Sequence, residues 1–425
     1  MALVLILWII PAVLTRSPPL AGAEKHKALA DVRTVLVYAA VAIAGLGALS
    51  YTARTFRMEK VGRLTQRFQA ASTQLGNEHA AVRVAAVQAL ALLADEWPEQ
   101  RQSCVNVICA FLRAVDDEKK PVASRYERRA GFDLLRMRLA EDPSVATQFG
   151  SWFDWARPKG LRPSPASWRG CDLDLSGMVV EDGSLHGAIL SSGRVSFEGA
   201  RFIGGVDFSG IEFCGAAVSF HRATFTAKAQ VSFEHCTFRA GRVSFRKAAF
   251  TGGDVRFDSA TFDVDGAVCF AEAELGFGGT VTFDHASLAG ADDERPDHGG
   301  VSFAQARFGN DTGVNNAVSF KDATFLGTVS FERAQFRRTV SFQNAVLTGA
   351  TLRLAPVQLE PDVTLSFTDA KTTDMVLDLT GTIPWLGRID MSRLGEGRPH
   401  IEKDPGGIVD LGPGSERPSE AIDGA

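Results

Sequence analysis

The sequence contains little tyrosine and little cysteine: only 3 Tyr and 6 Cys occur among 425 residues. Six cysteines without a regular spacing exclude a disulfide-stapled scaffold and suit a reducing compartment. A formal net charge of −5 is too small for this length to indicate a basic nucleic-acid binder or an acidic disordered chain. Phenylalanine, by contrast, occurs 29 times. The chain therefore needs apolar bulk while avoiding the phenol hydroxyl.

The small net charge conceals an uneven distribution. Residues 1–170 carry 23 basic and 15 acidic side chains, whereas residues 171–380 carry 17 basic and 27 acidic ones. The N-terminal part is basic, and the middle of the chain has a net charge of −10. At this length two or three structural units are expected.

An uncharged stretch of twenty residues occupies positions 34–53. It is long enough to cross about 30 Å of hydrocarbon at roughly 1.5 Å per residue, so we predict a transmembrane helix. Ala40, Ala44 and Ala48 form a stripe of small residues through which two such helices could associate. The predicted partners of this region are the lipid bilayer and a second copy of the helix.

Residues 2–15 form another uncharged stretch, which has two interpretations. It is either a first membrane helix, completing membrane segments within 1–54, or a signal peptide, because Ala21-Gly22-Ala23 fits a cleavage site. We prefer the helix, since no Lys or Arg precedes the stretch. Five basic residues follow 34–53 and four lie in the loop before it, which favours a cytoplasmic C-terminal part.

Residues 55–157 have a helical hydrophobic period and are predicted to form a helical linker domain. Within its last helix, Arg125, Arg128 and Arg129 either contact anionic lipid headgroups or form a solvated helix face, which is the interpretation we prefer. Three prolines within 158–170 indicate a domain boundary. The predicted helices cover residues 61–75, 80–96, 100–115 and 125–139.

From Val195 the sequence repeats the eight-residue pattern V-x-F-x-x-A-x-F twelve times. The first residue is Val in every unit, and the sixth is Ala except at Ile211 and Cys236. The third and eighth positions make 24 sites, of which 21 are Phe and three are Leu. The units are VSFEGARF, VDFSGIEF, VSFHRATF, VSFEHCTF, VSFRKAAF, VRFDSATF, VCFAEAEL, VTFDHASL, VSFAQARF, VSFKDATF, VSFERAQF and VSFQNAVL.

The alternation within V-x-F and A-x-F predicts two short strands per unit, each with two inward side chains. Since all units have the same orientation, equivalent inward side chains stack only if the strands are parallel. We therefore predict a parallel β-helix with a dry interior. Its predicted structural core consists of Val195, Phe197, Phe202, Phe220, Phe225, Phe233, Phe238, Phe245, Phe250, Phe257, Phe262, Phe303, Phe308, Phe320, Phe325, Phe331, Phe336 and Phe342.

A five-residue block with a small residue two positions before a large apolar one resembles the pentapeptide-repeat family, whose consensus block is A-(D/N)-L-x-x. The resemblance covers about residues 171–354. It implies a right-handed quadrilateral β-helix with four blocks per coil, so the twelve units would form about six coils. Residues 1–170 resemble more loosely the membrane-anchored regions of actinobacterial members, which implies the plasma membrane of a bacterium. We place the β-helix at 171–380 and a cap with a disordered tail at 381–425.

The sequence contains no recognisable motif for a catalytic nucleophile, a metal site or a phosphate-binding loop. His221, His235 and His285 fall at predicted turns, where polar residues are ordinary. We therefore expect no catalytic residue, no metal and no cofactor, and the protein is predicted not to be an enzyme.

Two inserts, Ala289–Gly300 and Gly309–Ala317, interrupt the predicted coil. They are expected to be solvated loops, with a cation site or a partner-binding loop as the alternative. Ile383, Trp385 and Leu386 are expected to cap the last coil, because an open end would expose unpaired strand edges.

The predicted function is a non-catalytic, membrane-tethered scaffold for an unidentified protein partner. The alternative is mimicry of DNA, in which the acidic β-helix occupies the DNA site of a topoisomerase, as some pentapeptide-repeat proteins do. Basic side chains interspersed along the coil and the membrane anchor disfavour this alternative. Binding of nucleic acid itself is not expected, because the coil is acidic.

Overall fold

A computed structural model describes residues 23–114, 121–140, 168–290, 300–309, 318–354, 356–360, 363–380, 387–402 and 409–412. The chain divides into two compact units, Met1–Gln69 and Ala70–Ala425. The predicted segment 2–15 and the prolines of the predicted boundary lie outside the described residues, so their predictions stand untested.

The first unit contains most of helix α1 (Ala23–Gln74). The helix continues through residues 54–60, so the predicted transmembrane helix and the first predicted linker helix are one continuous helix. No proline interrupts residues 34–74, and isolated glycines are tolerated in a helix. Its apolar window has a mean hydropathy of 1.9 and no buried residue, so α1 is long and apolar enough to cross a membrane.

The second unit begins with three short helices, α2 (Ala80–Glu96), α3 (Arg101–Ala114) and α4 (Pro121–Leu139). A 3₁₀ turn, Pro98–Gln100, connects α2 to α3. Each helix buries an apolar stripe: Leu90 in α2, Ile108 in α3 and Leu135 in α4 are fully buried. Most of the stability of such short helices comes from this packing rather than from intrinsic propensity.

All paired strands of the second unit are parallel, and most have two to four residues. The first fifteen strands are β1 (Leu173–Asp174), β2 (Val179–Ser184), β3 (Ile189–Leu190), β4 (Arg194–Ser196), β5 (Arg201–Asp207), β6 (Glu212–Ser219), β7 (Thr224–Phe225), β8 (Gln230–Ser232), β9 (Thr237–Ser244), β10 (Ala249–Phe250), β11 (Gly253–Arg256), β12 (Thr261–Phe262), β13 (Gly266–Cys269), β14 (Glu274–Leu275) and β15 (Gly279–Thr282). The remaining strands are β16 (Ser287–Ala289), β17 (Gly300–Ser302), β18 (Arg307–Phe308), β19 (Val318–Ser319), β20 (Thr324–Leu326), β21 (Thr328–Ser330), β22 (Gln335–Phe336), β23 (Val340–Ser341), β24 (Thr351–Arg353), β25 (Gln358–Leu359), β26 (Thr364–Ser366), β27 (Val376–Asp378), β28 (Arg388–Asp390), β29 (His400–Glu402) and β30 (Val409–Asp410).

Strand register confirms the predicted parallel β-helix with two repeat units per coil. Val195 of β4 pairs with Val218 of β6, which begins the unit two places further along. Phe202 pairs in the same way with Phe225. The two strands of one unit and the two of the next form four faces, and the chain then returns to the first face. Equivalent side chains of successive coils therefore stack directly.

The β-helix extends beyond the twelve regular repeat units. One face contains ten stacked strands, from β1 to β29, which at about 4.8 Å per step span about 43 Å. Strands β28, β29 and β30 lie within 381–425, so the boundary at 380 and the expected disordered tail were wrong for these residues. Ile389 and Val409 supply buried positions there. The expected cap, Ile383, Trp385 and Leu386, lies outside the described residues.

Candidate functional site

The predicted core residues all lie inside the coil, with exposed fractions of at most 2%. Phenylalanine rings of successive coils stack at centroid distances of 4.5–5.1 Å, as Phe220 does on Phe245 at 4.7 Å. Rings from opposite faces meet edge to face, as Phe245 and Phe257 do at 5.5 Å. Since apolar side chains fill the interior, any binding by this coil uses its outer surface.

The serine at the second position of the repeat has a structural task within its own turn. The backbone N–H of His221 donates to the hydroxyl oxygen of Ser219 at 3.3 Å, and Glu234 donates to Ser232 at 3.2 Å. The same bond recurs in other units and closes a turn two residues long. The hydroxyl oxygens of these serines therefore already accept hydrogen bonds within their own turns.

Charged side chains on the outer surface pair between neighbouring coils. Glu272 accepts from Arg246 Nη2 at 2.6 Å and lies 3.3 Å from the ammonium of Lys247. The hydrogen bond from Arg246 holds the pKa of the Glu272 carboxyl below its usual value and raises that of the guanidinium. Glu234 pairs likewise with Arg256 at 3.2 Å. The acidic coil thus presents many of its carboxylates as ion pairs.

A shallow groove crosses four successive coils at one corner and has a volume of about 620 Å³. Its charged lining residues are Lys247, Glu272, Glu274, Arg307 and Arg333. Glu274 pairs with Arg307, while the Arg333 side chain is 65% exposed with its Nε 3.6 Å from a Glu332 oxygen. The sequence-based prediction did not identify this groove.

The arginines of α4 contact the first coil of the β-helix. Arg129 Nη1 lies 3.2 Å from Asp182 Oδ2, and the buried Arg128 lies 3.9 Å from Glu181 Oε1. Arg125 lies 3.8 Å from the same Asp182 oxygen. Arg125 and Arg129 stay more than 60% exposed, in keeping with the solvated helix face, whereas Arg128 is buried, which neither sequence-based interpretation expected. The cluster also helps to hold α4 on β2.

The cysteines and turn histidines form no reactive constellation within the described part of the chain. Burial raises the pKa of Cys236 to about 12 and that of Cys104 to about 11, so both thiols stay protonated at neutral pH. His285 lies 3.9 Å from Asp322. The described residues contain no group of three or more His, Cys, Asp or Glu side chains placed to hold a metal ion. Residues 291–299 and 310–317 of the two inserts lie outside the described part.

Comparison with known families agrees with the geometry of the coil. A family model described as "Pentapeptide repeats (9 copies)" matches residues 312–355. This segment includes the last three repeat units and contains strands β19 to β24. No curated protein matches the chain. The finding supports the pentapeptide-repeat interpretation of the fold and leaves the membrane-anchored subtype as a prediction.

Proposed function

We propose that the protein is a membrane-tethered, non-catalytic scaffold that binds a protein partner on the outside of its β-helix. The observation that carries this proposal is the division of the coil between a filled apolar interior and regular outer columns of side chains. Because every coil is hydrogen-bonded to the next, the outer columns keep fixed spacings. A surface that is already ordered loses little conformational entropy when it binds.

Tethering through α1 is the second part of the proposal. Val41, Ile43, Leu46 and Leu49 are 65–70% exposed on this helix, which a lipid bilayer would cover. The proposed location is the plasma membrane of a bacterium, with the C-terminal part in the cytoplasm. Helix pairing through the stripe of Ala40, Ala44 and Ala48 is part of the same proposal.

The tether is tested by fractionation of cells that express the full chain. The wild-type protein should stay in the membrane pellet after an alkaline wash. A variant with Ile43→Lys and Leu46→Lys should be released, because each central charge costs about 2.5–3.5 kcal/mol of insertion free energy. A variant with Arg54→Gln and Arg57→Gln is the control and should remain in the pellet. Release of the wild-type protein by the wash would contradict the tether.

The orientation is tested with a reporter fused to the C-terminus that is active only outside the cytoplasm. Activity of this reporter would contradict a cytoplasmic C-terminal part.

The scaffold is tested by proximity labelling, with a labelling enzyme fused to the full chain. The control fusion carries residues 1–69 and lacks the second unit. Proteins labelled by the full chain and not by the control would be partners of the second unit. Identical labelling by the two fusions would count against a scaffold.

Mimicry of DNA is the second candidate, because residues 171–380 have a net charge of −10. The ion pairs between coils weaken it, since Glu234, Glu272 and Glu274 face basic side chains of neighbouring coils. Supercoiling by a bacterial topoisomerase, measured with micromolar full-length protein in detergent, separates the candidates. Inhibition would favour the mimic, and unaltered supercoiling would remove it.

A further inference from the structure

Three alanines lie in the repeat units that carry the groove. Among the twelve repeat units, alanine occupies the fourth position only at Ala271 and Ala304, and the seventh position only at Ala249. All three belong to alternate units, which share one corner of the coil. The backbone N–H of Lys247 donates to the Ala271 carbonyl at 3.0 Å, which places these residues in adjacent coils. Of the three, Ala249 lines the groove, and its short side chain beside the longer ones of Glu274, Arg307 and Gln335 leaves the depression open there.

The charge of the groove differs in sign from that of the surrounding coil. Its lining has three basic side chains, Lys247, Arg307 and Arg333, and two acidic ones, Glu272 and Glu274. Both carboxylates face basic partners, as described above. The Arg333 side chain, at the end of the groove, has its Nε 3.6 Å from a Glu332 oxygen and remains 65% exposed. A local excess of positive charge on a β-helix that is otherwise acidic favours an occupant with carboxylates.

The length of the groove indicates the conformation of the occupant. It crosses four coils, and three steps of about 4.8 Å give about 14 Å, which is the length of about four extended residues at 3.3 Å each. We infer that this groove binds an extended, acidic segment of a protein partner, with a carboxylate of the partner paired to Arg333. This inference rests on the proposed scaffold function and specifies where the partner binds and with which chemistry.

The test places a photoreactive, diazirine-bearing lysine analogue in the tethered full-length protein in cells. One variant carries it at Gln305, an exposed rim residue of the groove. The matched control carries it at Asn344, which occupies the same repeat position at another corner and is also exposed. We expect a discrete protein adduct from position 305 and none from position 344. The crosslinked peptide, identified by mass spectrometry, should contain Asp or Glu.

Two further variants test the mechanism in the presence of the probe at position 305. Arg333→Glu should reduce the adduct about tenfold, because a like charge replaces the paired one, whereas Arg333→Lys should preserve it. Ala249→Arg should reduce the adduct by filling the groove, and Thr261→Arg, at the equivalent position of a different face, should not. Unchanged melting temperatures would show that the variants are folded.

The outcomes separate the groove from the scaffold. Equal adducts from positions 305 and 344, or an adduct from 344 alone, would overturn the groove and leave the scaffold standing. A neutral or basic crosslinked peptide, or an adduct with nucleic acid, would overturn the acidic-segment chemistry. No adduct from either position, together with identical proximity labelling by the two fusions, would overturn both proposals.

Discussion

The fifth residue of every repeat unit has a positive φ, between 55° and 66°. Ten of these twelve residues are not glycine, and they include Arg222, Lys247 and Glu272. A left-handed backbone costs a residue with a side chain roughly 1–2 kcal/mol, so the stacking of the coil must outweigh this cost at each turn. The fifth residue differs between units because the turn constrains only its backbone conformation, while its side chain faces solvent.

Ser259 tests this constraint, since its φ is 57°. Ser259→Val should lower the free energy of unfolding by about 1–2 kcal/mol, because a β-branched residue disfavours this conformation most strongly. Ser259→Asn should stay within about 0.5 kcal/mol of the wild type, because asparagine tolerates the left-handed region. Urea titration measures both changes. Equal stability of the two variants would contradict the assigned backbone conformation.

Phe245 is fully buried and contacts rings of its own and of other faces. Phe245→Ala should lower the free energy of unfolding by about 3–5 kcal/mol through lost burial and the cavity left behind. Phe277→Ala is the matched control, because Phe277 lies at a corner and is only half-buried. Thermal unfolding measures both variants, and Phe277→Ala should lower the melting temperature much less than Phe245→Ala does. An unchanged melting temperature for Phe245→Ala would contradict its inward position.

Asp390 predicts a specific response to acid. Hydrogen bonds from Ser392 hold the pKa of the Asp390 carboxyl below its usual value. The resulting stabilisation is present above the unfolded-state pKa of about 3.9 and is lost as the pH falls through the lower folded-state value. Asp390→Asn should therefore destabilise the protein near neutral pH and flatten the decline in stability below about pH 4. Thermal unfolding of both proteins at several pH values measures this profile. A pH profile of stability that the substitution leaves unchanged would contradict the assignment.

At the scale of elements, α3 and α4 cover the first coil. Gln102 of α3 donates to the Asp172 carbonyl at 2.8 Å and accepts from the Asp172 N–H at 2.9 Å. Arg113 reaches Asp174 of β1 at 2.5 Å. These bonds satisfy polar groups at an end of the coil that has no preceding coil to pair with. A covered strand edge is protected from pairing with another chain.

The α4 helix approaches β2 closely at Gly183. A Cβ atom there would lie 2.7 Å from the Phe132 ring, so Gly183→Val should displace α4 from β2. Gly205→Val is the control, because its Cβ would meet open space in the next coil. Hydrogen exchange should become faster in α4 for the first variant only. Equal protection of α4 in both variants would contradict this packing.

The sequence was sufficient to predict the regular coil and insufficient for its ends. Twelve units with one apolar pattern define a parallel stack, because each inward side chain needs its counterpart. The coil around Leu173 was included in the predicted β-helix, whereas the coil around Ile401 was missed, since Leu and Ile replace Val and Phe there and the spacing is irregular. The pairing of Arg128 with Glu181 joins residues far apart in sequence, and no periodic pattern encodes it.

Part of the groove could have been predicted from the sequence. Ala249, which lines the groove, is a visible exception in the seventh position of the repeat. Its meaning depends on knowing that alternate units share a corner, which the strand register supplies. A small residue at an outward repeat position is therefore a usable signal once the number of units per coil is fixed.

At the scale of the whole molecule, the second unit is a stack in which each coil is bonded mainly to the coils before and after it. The first coil has α3 and α4 against it, whereas β29 and β30 pair on one side only among the described residues. Stability in such a stack is a sum of neighbour terms, so its two ends need not be equal.

This asymmetry gives unfolding a direction. Coils should peel away from the β29–β30 end, one after another, while the end beneath α3 and α4 is the last to open. Native-state hydrogen exchange should show opening free energies that fall progressively from β4 to β30. A uniform value along the stack would instead indicate a single cooperative unit. With the expected gradient, the covered first coil is the most stable part of the β-helix. A force applied to the chain through α1 would therefore act first on the part that resists unfolding most.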